Sequence, residues 1–248
     1  MQGIWGSCPS FVFYIIMYRA RGWQGKDCQG SRLYNYALFI YNRERESKVM
    51  EMNLFESLDQ LVAAGNGYLC TAQVMERGIS RPTLAEYVRR RGMERMAHGI
   101  YLSPDAWPDE LYQLSLANSR IVFSHETALL LHGLMEREPN HICLTVSAGY
   151  NASHLRKRGI QVHQVKPDLA DLGATTVLTS FGNRVRVYDM ERTICDVIRS
   201  KNNMDIQIFR YAMREYMAHP EKNLNRLMQY SKQLRVEDAV RTYTEVML

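Results

Sequence analysis

"GISRPTLAEYVRRRGMERMAHGIYL", Gly78 to Leu102, is the stretch whose reading decides the fold. Ser80 is a good helix N-cap, and Pro82 falls in the first turn, where a missing N–H leaves nothing unsatisfied. At 100° per residue, Leu84, Tyr87 and Val88 line one apolar stripe, while Thr83, Ala85, Glu86, Arg89 and Arg90 point away from it. Gly92 ends the helix. "MERMAHGIYL" then alternates Met93, Arg95 and Ala97 before a glycine turn at Gly99, the pattern of a two-stranded hairpin.

The residues before it extend the pattern. In "NLFESLDQLVAAGNGYL", Asn53 and Glu56 stand at capping-box spacing. Leu54, Leu58, Leu61 and Val62 recur at helical intervals, and Gly65-Asn66-Gly67 stops the helix. Thr71 can cap a second, short helix ending at Gly78, with Ile79 as an apolar turn residue. Helix, short helix, capped helix and hairpin, in that order, predict a winged helix-turn-helix over residues 50–104. Between Arg77 and Arg95 lie six arginines. Arginine on an outward helix face suits phosphate clamping and bidentate contact with guanine edges. A solvated helix end, where cations complement the C-terminal dipole, accounts for "RRR" equally well. The order of elements favours the nucleic-acid reading.

Composition bounds the rest. Of 248 residues, 46% are hydrophobic and 23% charged, enough for a globular core, and a net charge of +5 alone says little about partners. The five cysteines (Cys8, Cys28, Cys70, Cys143, Cys195) form no CxxC and no zinc-ligand spacing. Reduced thiols in a cytoplasmic protein without a metal or cofactor are the expectation. "FVFYIIMY" (Phe11 to Tyr18) is too short to cross a bilayer, which takes about 20 residues. Its first basic residue, Arg19, follows the apolar run, the reverse of a signal peptide. Residues 1–49 read as a poorly structured extension, translated from an over-extended start, with a short membrane-interface anchor as the other reading.

"SPDAWPDE" (Ser103 to Glu110) reads as a linker. Beyond it a mixed pattern begins: helix "DELYQLSLANS", strand "RIVFS" and helix "HETALLLHGL". Strands "HICLTVS", "GIQVHQV", "TTVLTSF" and "RVRVYD" follow, and then four successive helices. Strands followed by a run of helices predict an α+β domain over residues 109–248. In "VYDMERTICDVIR", Asp189 can cap a helix whose Arg192, Asp196 and Arg199 make a ladder of side-chain pairs. Asp189, Glu191 and Asp196 could alternatively be metal-binding acids of a nuclease or nucleotidyl-transfer site, but Glu191 and Asp196 diverge on the helix. His125, Glu126 and His132 fall on a similar side of another helix without the HExxH spacing, so satisfied structural histidines are the simpler reading. No P-loop, dinucleotide motif or nucleophile elbow is present.

Three segments in order, "GYLCTAQVMERGISRPTLAEYVRRRGMERMAHGIYL", "SHETALLLHGL" and "VYDMERTICDVIR", with a terminus ending "YTEVML", resemble the AbiEi-type antitoxins of type IV (abortive infection) toxin–antitoxin systems. The likeness covers Leu54 to Leu248. It implies a winged helix-turn-helix that binds inverted repeats in its own promoter. It also implies an α+β domain that counters a nucleotidyltransferase-like toxin without a stable complex, and no catalytic activity. DNA contact then falls to Ser80, Arg81, Thr83, Arg89 and Arg90 in the helix, with Arg95 and His98 in the wing. His125, Glu126, Asp189, Glu191, Arg192 and Asp196 become a structural signature. Glu86, an acid in the middle of the outward face, is the departure from that pattern, since an acid there repels phosphate unless it accepts from a cytosine amino group. A solitary regulator without a toxin is the alternative within the same class.

Overall fold

A computed structural model describes residues 28–247; the apolar run Phe11 to Tyr18 and the rest of residues 1–27 lie outside the described residues. The chain divides into two compact units, residues 1–61 and 62–248. Helix α1 (Cys28–Ala64) is 37 residues long. It corrects two expectations, because residues 28–49 are helical and Asn53 lies inside a helix instead of capping one. From Ser31 to Met52 the chain contains no Gly or Pro and is well supplied with Arg, Glu, Leu and Ala, so nothing breaks the helix before Gly65. Among the described residues no helix is long and apolar enough to cross a membrane.

The second unit opens with the expected stop. Asn66 and Gly67 take positive φ, and a Cβ at Gly67 would stand 2.2 Å from the Ala106 Cβ, so only glycine permits this close approach. The chain continues as β1 (Tyr68–Cys70), α2 (Thr71–Glu76), α3 (Arg81–Arg91), β2 (Glu94–Ala97) and β3 (Ile100–Leu102). Strand β3 lies between β1 and β2, antiparallel to both, with an irregularity between Arg95 and Ala97. The hairpin is thus where the alternation puts it, and β1 joins it as a third strand that the pattern does not announce. Three residues, Tyr68, Leu69 and Cys70, are too few for a period to show. Thr71 is the first residue of α2, not its cap; Cys70 occupies that position without a side-chain bond.

Next come α4 (Glu110–Ala117), β4 (Val122–Phe123), α5 (His125–Leu131), β5 (Cys143–Ser147), α6 (Ser153–Lys157), β6 (Gln161–Val165), α7 (Pro167–Ala170), β7 (Ala174–Leu178) and β8 (Arg184–Tyr188). The chain ends in α8 (Met190–Arg199), α9 (Ile206–Ala218), α10 (Leu224–Leu234) and α11 (Glu237–Met247). The fold class is α+β. The five strands order as β6-β5-β4-β8-β7, with β5·β6 and β4·β8 parallel and β4·β5 and β7·β8 antiparallel. One core joins α4 and α6 to the sheet through Leu114, Phe123, Leu144, Leu155 and Val187. A second joins α5 to the last four helices through Leu129, Ile194, Val197, Phe209, Leu227 and Val240.

The segment with a linker's composition is not a free tether. Asp109 is 2% exposed. Its Oδ2 accepts from Thr179 Oγ1 at 2.6 Å and from Asn183 Nδ2 at 2.9 Å, and its Oδ1 accepts from Tyr112 N at 3.1 Å as the cap of α4. The Asp109 N–H donates to the Tyr68 hydroxyl at 2.7 Å, and Gln113 Nε2 donates to the same oxygen at 3.1 Å. Asn66 Nδ2 adds a bond to Asn183 Oδ1 at 3.0 Å. Tyr68, Ile100 and Leu102 of the small sheet also share a core with Tyr112 and Leu116 of α4. The division expected between residues 104 and 109 is therefore bridged: residues 62–104 belong to one unit with residues 109–248, while residues 50–61 of the expected first domain fall in the other unit.

Asp109→Ala leaves the Thr179 hydroxyl and Asn183 amide without their buried acceptor and removes a helix cap. The expected loss is about 2–4 kcal/mol in urea unfolding. Asp109→Asn, which keeps an acceptor, should lose less. A change below about 0.5 kcal/mol for the alanine variant would show the knot to be dispensable.

Candidate nucleic-acid interface

Helix α3 forms as its residues dictate. The Thr83 N–H donates to Ser80 Oγ at 3.4 Å, the two hydroxyls lie 2.8 Å apart, and Pro82 occupies the first turn. Gly92 closes the helix in the left-handed conformation, φ 63°. Leu84 and Tyr87 are buried and Val88 half-buried, so the apolar stripe faces inward. Arg89 and Arg90 are exposed on the other side, Arg81 at the helix start, and Arg95 and His98 on the hairpin.

Within that face the charges are ordered. Arg89 grips Glu86 with two donors, Nε to Oε2 at 3.0 Å and Nη2 to Oε1 at 2.6 Å, and Arg90 Nε reaches Oε1 at 2.6 Å. Hydrogen bonds from Arg89 and then Arg90 hold the Glu86 carboxyl down at about 2, so it is ionised throughout the physiological range. Arg91 lies 5.9 Å from the centre of the Tyr87 ring. On the hairpin, Arg95 Nη2 stands 3.3 Å from His98 Nδ1 and its Nε donates to Ala97 O. Ser80 spends its oxygen on the cap, so it meets a ligand less freely than Arg81 beside it. Of the expected residues, Thr83, Arg89 and Arg90 lie on the outward side of the helix with Glu86, whereas Ser80 and Arg81 stand at its start, Arg81 roughly on the opposite side of the wheel from Arg90. What pattern could not show is that Glu86, the acid expected in the middle of that face, takes both arginines as hydrogen-bond partners.

The C-terminal signature residues are drawn into separate structural tasks. Asp189 caps α8 through the Arg192 N–H at 2.8 Å and accepts from the Tyr230 hydroxyl at 3.1 Å. Glu191 is buried, accepting from Asn223 N at 2.8 Å and Tyr216 OH at 3.3 Å, with Arg226 Nη1 3.7 Å away. Arg192 is fully buried: its Nε donates to Asp196 Oδ2 at 3.0 Å, its Nη1 to the carbonyls of Leu169 and Leu172, and its guanidinium lies 4.2 Å from the centre of the Tyr188 ring. Burial pushes the Asp196 carboxyl up while Arg192 pulls it down. The pairing of Arg192 with Asp196 is one rung of the expected Arg192–Asp196–Arg199 ladder, and it is buried, whereas Arg199 is exposed at the helix end. Among the described residues no three His, Cys, Asp or Glu side chains converge as a metal site would require.

His125, Glu126 and His132 do not converge either. His132 Nε2 donates to the Tyr188 carbonyl at 2.6 Å, whereas Glu126 is half-buried near His141. His125 is buried at a positive φ of 51°; its Nδ1 lies 3.0 Å from Ser124 Oγ and its Nε2 3.1 Å from Ser200 Oγ. Its ring stacks on His163 with centres 3.6 Å apart. His163, Ser200 and Thr145, whose hydroxyl donates to Ser124, carry no signal in the sequence, because strand and helix ends bring them together from distant positions.

No family model matches the chain, and no curated protein matches it in sequence. The structure is similar to the crystal structure of the RV2827C protein from Mycobacterium tuberculosis, at 12% identity, covering 74% of this chain and 75% of that one with a TM-score of 0.49. That likeness is too slight to bear on function.

Desolvation, then the neighbouring charges of His163, Arg199 and Arg192, holds His125 well below its ordinary value of 6.5. Burial and Arg199 lower His163, and burial lowers His132. Each histidine binds its proton more readily in the unfolded chain. The histidines' contribution to stability is thus fully present above about pH 7.5 and is lost as the pH falls through the unfolded value near 6.5, against the raised carboxyls of Glu126, Asp189 and Asp196, which act in the opposite direction. A His125→Gln variant should therefore lose less stability than the wild type between about pH 7.5 and 5.5, read as the change in urea midpoint. An equal change for the two chains would contradict this.

Proposed function

We propose that the segment from β1 through β3 is a winged helix-turn-helix that docks on duplex DNA, with α3 in the major groove and the β2–β3 hairpin as the wing. One observation carries the reading: the Ser80-capped α3 presents Arg89 and Arg90 on its outward face and an exposed Arg81 at its start, beside a hairpin bearing the exposed Arg95 and His98. An α-helix fits the major groove of B-DNA, and exposed guanidiniums supply both phosphate neutralisation and base-edge contacts. Arg81 and Thr83, near the helix start, are the readers of sequence, and Arg89 and Arg90 hold phosphates.

The resemblance of the three motif segments carries the reading further, to an autoregulating antitoxin of the AbiEi type acting in the cytoplasm. Its operator is an inverted repeat in its own promoter, and it opposes a nucleotidyltransferase-like toxin without a stable complex. An enzymatic role for the C-terminal acids is the weaker reading, because Asp189, Glu191 and Asp196 each serve a cap, a buried hydrogen-bond network or an ion pair.

Replacing Arg89 and Arg90 together by alanine should weaken binding to promoter DNA about tenfold at physiological salt. It should also reduce the slope of log affinity against log salt by about 0.9 for each phosphate that goes un-neutralised. Unchanged affinity and slope would remove this face from the interface.

A further inference from the structure

Glu86 is the feature of α3 that DNA docking leaves unexplained. An acid in the middle of a phosphate-facing surface weakens attraction at every register along a duplex. As a mere surface ion pair it would contribute little to stability. Its geometry is more particular than that. The carboxylate takes Arg89 through Nε and Nη2 together, the same fork with which a guanidinium holds a phosphate or a guanine edge, and the Arg89 side chain remains 73% exposed. Arg90 contributes a further donor to the same carboxylate, one turn on.

The geometry points to Glu86 as a specificity-determining residue that acts through Arg89, an intramolecular stand-in for the DNA acceptor. The inference rests on the DNA-binding reading of α3. In the free protein the fork of Arg89 is already satisfied. DNA recovers it only by exchanging one acceptor pair for another, and a nearby carboxylate competes at high effective concentration. Exchange leaves Glu86 facing the duplex as a charged acceptor. Its natural complement is the cytosine amino group, the donor that acidic side chains accept from in the major groove. Where cytosine stands opposite, Glu86 gains a partner. Elsewhere it faces acceptors and phosphates, and binding is penalised. Glu86 therefore lowers non-specific affinity more than specific affinity, a form of discrimination built on repulsion.

The test uses the full chain and a pool of short random-sequence duplexes, read both as total binding and as sequences enriched by selection. Glu86→Gln keeps the shape and removes the charge. Binding to the pool should tighten about three- to tenfold near 0.1 M salt, and the salt slope should steepen by about 0.9, as one more phosphate is neutralised. The enriched sequences should lose a cytosine preference at one position. If Glu86 acts through Arg89, Glu86→Gln should change binding far less in an Arg89→Ala background than in the wild-type chain, because coupled residues fail to add. Thermal unfolding of the variant should match the wild type, so the effect is not one of folding. Unaltered pool affinity and motif overturn the inference while leaving DNA binding in place. An effect of undiminished size in the Arg89→Ala background overturns the role through Arg89. A wild-type chain that retains none of the pool at about 50 mM salt overturns both the inference and the reading beneath it.

Discussion

The buried carboxylate of Asp109 is the point on which the 62–248 unit turns. Two side-chain donors and one backbone N–H hold it, all of them neutral. Those donors come from α4 and from the loop between β7 and β8, while the Asp109 N–H reaches back to Tyr68 of β1. One residue thus ties the small three-stranded sheet to the end of the large one. Tyr112 packs edge-on against Tyr68 with ring centres 5.1 Å apart, so the polar knot sits against an apolar contact. Buried polar groups of this kind stabilise only when every member is satisfied, and a missing member is expensive. The consequence is mechanical: the small sheet, whose β2–β3 hairpin directly follows α3, is fixed to the larger one.

A second constraint is the burial of α8. From Glu191 to Ile198 every residue is buried, including Glu191, Arg192 and Asp196. Arg192 is held there by its ion pair with Asp196, two backbone carbonyls and the face of Tyr188, although its Nη2 is buried without a hydrogen-bond partner. The same charges exposed on a surface helix would be worth a few tenths of a kcal/mol. Residues that look like candidate chemistry in the sequence are here the polar skeleton of a core, and their specificity of geometry serves packing.

The α3 face obeys the opposite logic. Its charges stay in water, where their mutual attraction is weak, and so they remain available for exchange with a ligand. Glu86 orders two arginines without burying them. A helix whose interior side is fixed by Leu84 and Tyr87 presents that ordered set at a constant angle. Rigidity comes from the stripe below and adaptability from the side chains above.

Much of this was legible in the residues. Ser80, Pro82 and Gly92 set the bounds of α3 because capping and breaking are local effects, and the stripe of Leu84, Tyr87 and Val88 followed from the helical period alone. The glycine turn at Gly99, the mixed pattern after residue 109 and the four terminal helices were readable for the same reason. Local signals failed where the structure is decided by distant partners. Asn53 resembles a cap, yet the preceding residues propagate the helix through it. "SPDAWPDE" has the composition of a linker, but Asp109 finds Thr179, Asn183 and Tyr68 only once both sheets exist. The stacking of His125 on His163, and the sheet order that runs β4 beside β8, join segments tens of residues apart. The sequence by itself determined where most helices begin and end and which side of α3 faces outward. Which charged groups are buried, which are paired and what holds the two sheets together belonged to the tertiary structure, because those answers depend on desolvation and on partners that no local pattern specifies.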